Sequence, residues 1–339
     1  MTHGVVKAYS GYLMDDDKLV KSASGGFAYA FSLKHIQQGG VVYSVRYSPD
    51  FRTGEWDRAD TVEKLSAFQG SKYVESRKVY EGFNLYERIK NDLDSGLSVL
   101  AIGLPCDIGA IKAYLKKDYE NLICVDLVCH GPAVRKVAEE YLDELEKKYG
   151  SRIVDFTVRY KKNSKWTPPY LRAVFENGKV YMKPFYKTDY GIAFSIMSRL
   201  SCYNCQFKSS NHKSDITIGD YWGLAPDNKK EWNDKGVSIA FVRTSKGEEL
   251  INSIRNICVV NETDAEFAMA HNVLMNIKKE KNPLYDKFVC DFRKYGLHAA
   301  VVRRYSFTQK CILLVRRILS RIVPQSAKKF IKKHILHRG

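Results

Sequence analysis

The order of apolar runs along the chain predicts an α/β fold: a mixed sheet with a parallel βαβ core, an inserted antiparallel hairpin region and a helical C-terminal tail. Three observations carry that expectation. Between Phe83 and Tyr149, strand-like and helix-like segments alternate across short turns, the pattern of right-handed crossovers between parallel strands. After Gly150 the pattern changes to strand-like alternation, with Asn177-Gly178 placed as a hairpin turn between two runs. From Val301 to Gly339 there are eleven Lys or Arg and no Asp or Glu, and Pro324 divides two short amphipathic stretches. The boundaries so read are 1–150 for an α/β half, 151–300 for an α+β half and 301–339 for a basic helical tail.

A chain of 339 residues with 45% hydrophobic content can bury a substantial core. Its start, Met1-Thr2-His3-Gly4-Val5, runs straight into a strand-like stretch without a secretory leader. Eight cysteines in that context read as free thiols in a reducing cytoplasm rather than a disulfide scaffold. No apolar run approaches the roughly 20 residues that span a bilayer. The net charge of +17 is uneven, because residues 1–300 hold 44 basic against 38 acidic side chains, a balance of only +6. The tail sets Leu314, Ile318 and Ile322 against Arg316, Arg317 and Arg321. It is a candidate for an anionic membrane surface at the inner face, at about 1 kcal/mol per basic residue, and equally for a solvated helix capping its own domain. No nucleic-acid motif accompanies the charge, so nucleic acid is not an expected partner.

Taken in order, Val5 to Tyr9 reads as a strand and Asp15-Asp16-Asp17 as an exposed loop. Ser22-Ala23-Ser24-Gly25-Gly26-Phe27 opens a helix to about Gln38, followed by the strand Val41 to Tyr47. A Ser/Gly-rich helix start offers bare backbone N–H groups to a phosphate, and the same residues also serve as ordinary caps. Gly70-Ser71-Lys72-Tyr73-Val74 follows a helix expected over Thr61 to Phe68, with Lys72 beside a small residue. Then come a helix from Phe83 to Leu93, a strand Ser98 to Ile102, a helix Pro105 to Lys117, a strand Leu122 to Val128 and a helix from Val134 to Tyr149. Cys106 and Cys129 each sit in a strand-to-helix turn, so neighbouring strands would bring both to one carboxyl rim, where open α/β sheets bind ligands. Arg152 to Tyr160 and Tyr170 to Phe175 read as strands, and Arg159, Lys161 and Trp166 lie on and after the first. A helix from Tyr186 to Leu200 delivers the chain to Cys202 and Cys205. Strands at Asp215 to Ile218 and Val237 to Val242 and a helix at Lys246 to Asn256 follow, and helices fill most of the remainder. Cys124, Cys258, Cys290 and Cys311 read as packing thiols.

One Cys-x-x-Cys pair, Cys202 and Cys205, with two more thiols from separate loops suffices for four-coordinate sulfur ligation of zinc or an iron–sulfur cluster. Structural zinc usually draws two close pairs. Single thiols on the ligand rim of a nucleotide-type sheet suit redox work better.

The segments Ser24-Gly25-Gly26, Gly70-Ser71-Lys72-Tyr73, Gly103-Leu104-Pro105-Cys106-Asp107-Ile108 and Asp126-Leu127-Val128-Cys129-His130-Gly131 occur in that order, ahead of Ser201-Cys202-Tyr203-Asn204-Cys205 and Ser214-Asp215-Ile216-Thr217-Ile218-Gly219-Asp220-Tyr221-Trp222-Gly223. In these six motifs, over about residues 20–290, the chain resembles the coenzyme F420 hydrogenase/dehydrogenase beta-subunit family. That resemblance implies a [4Fe–4S] cluster on Cys106, Cys129, Cys202 and Cys205. It implies FAD near Ser24, Gly25, Gly26, Ser71, Lys72 and Tyr73, with Gly219 and Asp220 closing the same cleft. In this scheme Lys72 stabilises a reduced flavin, and Asp220 and His130 are catalytic candidates. His130 could donate to a cluster sulfur, relay a proton, or be a structural histidine of its turn.

Leu104 and Asp107 stand where the family usually has Thr and Gln around Pro-Cys, His212-Lys213 replaces an Arg before Ser-Asp-Ile-Thr, and Lys165-Trp166 replaces Gly-Trp. These departures spare the ligands and bear on the electron acceptor. With the first cysteine at 106, no N-terminal ferredoxin module is expected. The implied activity is an oxidoreductase passing electrons between cluster and FAD, and then to or from coenzyme F420 or another small-molecule hydride acceptor or donor, with a separate redox partner such as a ferredoxin. The rival expectation is a non-catalytic, metal-stabilised accessory protein in cell-surface polysaccharide biosynthesis.

Overall fold

Val99–Gly103 is buried at every position, which requires cover on both faces and explains why its sequence is continuously apolar rather than alternating. In the computed structural model, which describes residues 7–305 except Lys229, that run is a central strand of a nine-stranded sheet. The strands are β1 (Lys7–Leu13), β2 (Val41–Tyr47), β3 (Gly54–Ala59), β4 (Ser76–Arg77), β5 (Val79–Tyr80), β6 (Phe83–Asn84), β7 (Val99–Gly103), β8 (Leu122–Leu127), β9 (Ile153–Tyr160), β10 (Tyr170–Phe175), β11 (Val180–Pro184), β12 (Ile216–Asp220), β13 (Ser238–Val242) and β14 (Cys258–Thr263). The sheet order is β14-β1-β13-β12-β8-β7-β2-β3-β4. Neighbours β2, β7, β8 and β12 run parallel, whereas β13 is antiparallel to both β12 and β1. The expected parallel βαβ core is therefore present, and strands from both halves of the sequence share it.

The second sheet, β11-β10-β9, is antiparallel, and Asn177-Gly178 closes its hairpin with Gly178 at φ +77°. Inward-facing Leu171, Ala173 and Phe175 alternate along β10 with half-buried neighbours. On one face of the large sheet the helix Phe27–Gln37 packs Phe27, Ala30 and Phe31 against Leu100, Val125 and Ile216. The helices Leu85–Asp94 and Pro105–Leu115 cover the other face with Ile89, Ile108 and Ile111.

Several expectations are corrected. Asp15-Asp16-Asp17 is not a loop: Asp15 caps the helix Asp16–Lys21 by accepting the Lys18 N–H at 3.0 Å, and Asp16 and Asp17 complement the dipole of its first turn. The helix expected over Thr61 to Phe68 is a 3₁₀ segment, Glu63–Phe68. The helix expected over Tyr186 to Leu200 is broken into Asp189–Ile196 and Leu200–Tyr203, because Ser198 pairs in extended form with Ala133. Residues 258–263, expected among helices, form the edge strand β14 on β1. Cys290 is exposed rather than packed, whereas Cys124 and Cys258 are buried as expected. Cys311 and residues 306–339 of the basic tail lie outside the described residues.

The chain divides into two compact units between Asn282 and Pro283, the second beginning with the helices Tyr285–Tyr295 and Leu297–Arg303. Among the described residues no helix is long and apolar enough to cross a membrane.

Candidate functional site

Parallel strands β7, β8 and β12 end on the same edge of the sheet. After β7, Pro105 takes the first helical position and puts Cys106 in the opening turn of the helix Pro105–Leu115. After β8 the chain reaches Cys129, whose Sγ accepts the Gly131 N–H at 3.3 Å. Gly131 has φ +97°, and a Cβ there would stand 3.2 Å from both Cys202 Sγ and Ser198 Oγ. The absence of a side chain at 131 thus lets the Cys-x-x-Cys turn approach the β8 turn.

The four thiols belong to one electrostatic neighbourhood. Burial pushes the Cys129 thiol up to about 12, and the charges of Cys106 and Cys202 add to that while Lys208 opposes it. Burial also raises Cys106, with Asp107 and Cys205 adding and Arg199 and Lys78 opposing. Burial lowers Lys279 to about 8, and Cys202 and Cys129 pull it the other way. Arg199, Lys78, Lys208 and Lys279 thus each act on Cys106, Cys129 or Cys202. Asp107, the carboxylate unusual for the family pattern, is held by Lys78 at 2.8 Å.

Cysteine thiols beside Arg and Lys side chains are donor chemistry that zinc or an iron–sulfur cluster takes. Among the described residues no group of three or more His, Cys, Asp or Glu side chains is placed so that it could hold a metal ion. A lone zinc draws each sulfur to about 2.3 Å, whereas a four-iron cluster interposes its own iron and sulfide and needs only that the thiolates face one volume. A cluster bound by four thiolates is anionic, which matches the Arg and Lys side chains beside them.

Beside the thiols lies a second group of side chains. Val74, Ala133 and Ser198 are joined by bridges, with the Ala133 N–H donating to Tyr73 O at 3.1 Å. The His130 ring stacks on Phe194 at 4.8 Å, and Phe194 stacks on Tyr73 at 4.6 Å. Burial, with Lys279 nearby, lowers His130 to about 4. Tyr73 Oη accepts from Arg159, whose Nη1 also donates to Asp220 Oδ2 at 2.6 Å. Arg159 and Asp220 are both nearly buried, at 8% and 12% side-chain exposure. Burial disfavours the Arg159 charge, but Asp220 and Tyr73 outweigh it and the net shift is upward. The guanidinium lies over Trp166, and the buried Nε of Arg159 and Nε1 of Trp166 have no protein partner. Two half-exposed rings, Trp222 and Tyr186, stand at the margin: Trp222 packs on Trp166 at 4.7 Å, and Tyr186 lies within the influence of the Arg159 and Asp220 charges.

The structure brings the sequence-predicted flavin residues to this region. Gln69 donates to Lys18 O and Ser22 Oγ, joining the 69–73 loop to the 18–26 loop. Lys161 donates to Leu19 O and Ser24 O, each at 2.7 Å. Several of these residues are already engaged. Ser24 Oγ donates to Val237 O, and Gly25 O accepts from Leu13 N. Lys72 Nζ is surrounded by the carbonyls of Phe68, Gln69 and Gly70, and burial lowers it to about 7. It stabilises its own turn and supplies background charge rather than a free donor. Ser71 is half-buried beside it, and Gly219 packs on Val128, where a Cβ would come within 2.8 Å of Cγ2. At Gly25 a Cβ would collide with Gly11 O and Ser238 N. Gly25→Ala is therefore expected to destabilise the fold by about 1–3 kcal/mol, read as a lower urea midpoint. An unchanged midpoint would show that the backbone around Gly25 relaxes to admit a methyl.

Sequence reasoning assigns no role to Phe194, Lys208 or Lys279. Phe194 looks like any core aromatic of an apolar helix, and Lys279 sits in the run Lys278-Lys279-Glu280-Lys281, which reads as a solvated surface. Lys208, three residues beyond Cys205, offers a spacing signal and nothing more.

A comparison with curated protein sequences gave no match. Among solved structures, a chain of the F420-reducing [NiFe] hydrogenase complex from Methanosarcina barkeri aligns with a TM-score of 0.53 at 18% identity, over 79% of this chain and 90% of its own, a likeness of fold. The family described as the C terminus of the coenzyme F420 hydrogenase/dehydrogenase beta subunit matches residues 96–266, about half of the sequence, and the chain belongs to that family.

Proposed function

We propose that this member of an oxidoreductase-subunit family holds a [4Fe–4S] cluster on Cys106, Cys129, Cys202 and Cys205 and a flavin, FAD, in the adjoining cleft. The observation that carries the reading is geometric: Gly131 donates its N–H to Cys129 Sγ at 3.3 Å while its missing side chain admits Cys202 Sγ, so the Cys-x-x-Cys turn meets the sheet rim on which the Cys106 helix also opens. A bound flavin interconverts hydride transfer with one-electron steps, and a cluster supplies or accepts single electrons.

The chain's own residues would do the following. Arg199, Lys78, Lys208 and Lys279 offset the negative charge of a thiolate-bound cluster, which favours its reduced state. His130, Phe194 and Tyr73 place three stacked rings between the thiols and the Arg159–Asp220 pair. The orphaned N–H groups of Arg159 and Trp166 suit acceptor atoms of a planar ring, and Trp222 and Tyr186 offer surfaces for it to stack against. Coenzyme F420 or another small-molecule hydride carrier is the substrate class that fits beside a flavin. Electrons would be exchanged with a separate protein such as a ferredoxin.

Protein purified without oxygen is expected to be brown, with about four iron per chain, and to release yellow flavin on denaturation. A colourless protein holding one zinc per chain would sink the reading.

A further inference from the structure

We propose that Phe207, Lys208 and His212, none of them a ligand, form a clamp that sets Cys202 and Cys205 against the two rim thiols. The inference rests on the reading that all four thiols serve one centre. Each of the three side chains reaches an element that carries a rim thiol. Phe207 lies over Gly109, one turn along the helix from Cys106, and any side chain at 109 would overlap the Phe207 ring. Lys208 is buried and donates to the carbonyl of Cys129 itself at 2.8 Å, and also to Leu274 O. His212 Nδ1 meets Asp126 Oδ2 at 2.7 Å, three residues before Cys129, and Thr217 donates to the other oxygen of that carboxylate.

A Cys-x-x-Cys turn that held only its own pair would need none of these contacts. Burying a lysine costs solvation, and the Lys208 ammonium is compensated here by the carbonyls of Cys129 and Leu274, an acceptor pair present only while the β8 turn holds this position. The contacts act at different places: the ring fixes the approach to the Cys106 helix, the ammonium fixes the β8 turn, and the His–Asp pair anchors the return into β12. Together they fix the span between two loops that are far apart in sequence. They are positioning residues, and their effect is on distance between thiols.

That distance can be read without metal. The full-length apoprotein is treated with a short bifunctional maleimide, and cross-linked peptides are quantified by mass spectrometry. The wild type is expected to give Cys106–Cys205 and Cys129–Cys202 products together with Cys202–Cys205. In Phe207→Ala/Lys208→Met the two products joining the loops should fall by about tenfold or more, since proximity governs such reactions steeply. The Cys202–Cys205 product, internal to one turn, should persist, and Lys208→Arg should recover part of the loss. Undiminished inter-loop products in the double variant would overturn the clamp. Should the double variant fail to fold by far-ultraviolet circular dichroism, Gly109→Ala alone carries the test, because the added methyl displaces only a half-buried ring. Iron reconstitution separates the two claims: a wild type that cross-links but binds no iron removes the cluster and leaves the clamp standing.

Discussion

Cys129→Ala is expected to remove nearly all bound iron and the visible absorbance that goes with it, whereas Cys124→Ala, five residues earlier on the same segment, should retain both. The contrast follows from direction along β8. Cys124 points into the core formed with Val99, Leu115 and Ile111, is fully buried, and is pushed up to about 12 by that burial. It is a small apolar filler, and its loss should cost about 1 kcal/mol of stability through the cavity left behind. Cys129 lies past the strand end, where its sulfur accepts the Gly131 N–H and feels Cys106, Cys202 and Lys208. If the four thiols hold the proposed cluster, losing the Cys129 sulfur would leave it only three protein donors. Iron and acid-labile sulfide analysis after anaerobic reconstitution decides it, and equal retention in both variants would undo the ligand assignment.

Much of the framework around this site is legible in the sequence, and the legible parts share a physical reason. The strand-to-helix turns at Pro105 and at Cys129-His130-Gly131 announce themselves locally, through continuous apolar runs that end in Gly or Pro. Strand adjacency then places both thiols on one rim without further information, and the observed pairing of Val99 through Gly103 with Leu122 through Asp126 supplies that adjacency. What the sequence conceals depends on contacts distant along the chain. β3 escapes a local reading because three of the six residues of Gly54–Ala59 are charged, and its place is set by pairing with β2 and by burying Trp56. β14 lies in a stretch expected to be mostly helical, and its extended conformation comes from pairing with β1 beside it. The loops at 22–26 and 69–73 can be singled out by their small residues, but what their polar groups already hold cannot. The backbone contacts of Ser24, Gly25 and Lys72 with Val237, Leu13 and the 68–70 turn carry no sequence signature.

The second large effect is expected at Arg159. Arg159→Met should lower the stability of the fold by about 3–5 kcal/mol, because it leaves the carboxylate of Asp220 nearly buried without its partner. The double variant Arg159→Met/Asp220→Leu should recover most of that loss, since a buried ion pair replaced by apolar groups is often neutral. Arg159→Lys should not rescue: one guanidinium nitrogen now reaches both Tyr73 and Asp220, and a tetrahedral ammonium on a shorter stem meets that geometry poorly. Urea unfolding of the four proteins tests this, and a single variant as stable as wild type would mean that Asp220 finds water or another cation. The same series bears on ligand binding. If the buried Nε of Arg159 and Nε1 of Trp166 are held for acceptor atoms of a flavin, added FAD should raise the unfolding midpoint of the wild type in proportion to the logarithm of its concentration. It should do much less for Arg159→Met/Asp220→Leu, whose fold is restored while its donor is gone. Equal protection of both would place the flavin elsewhere and return Arg159 to a purely structural role.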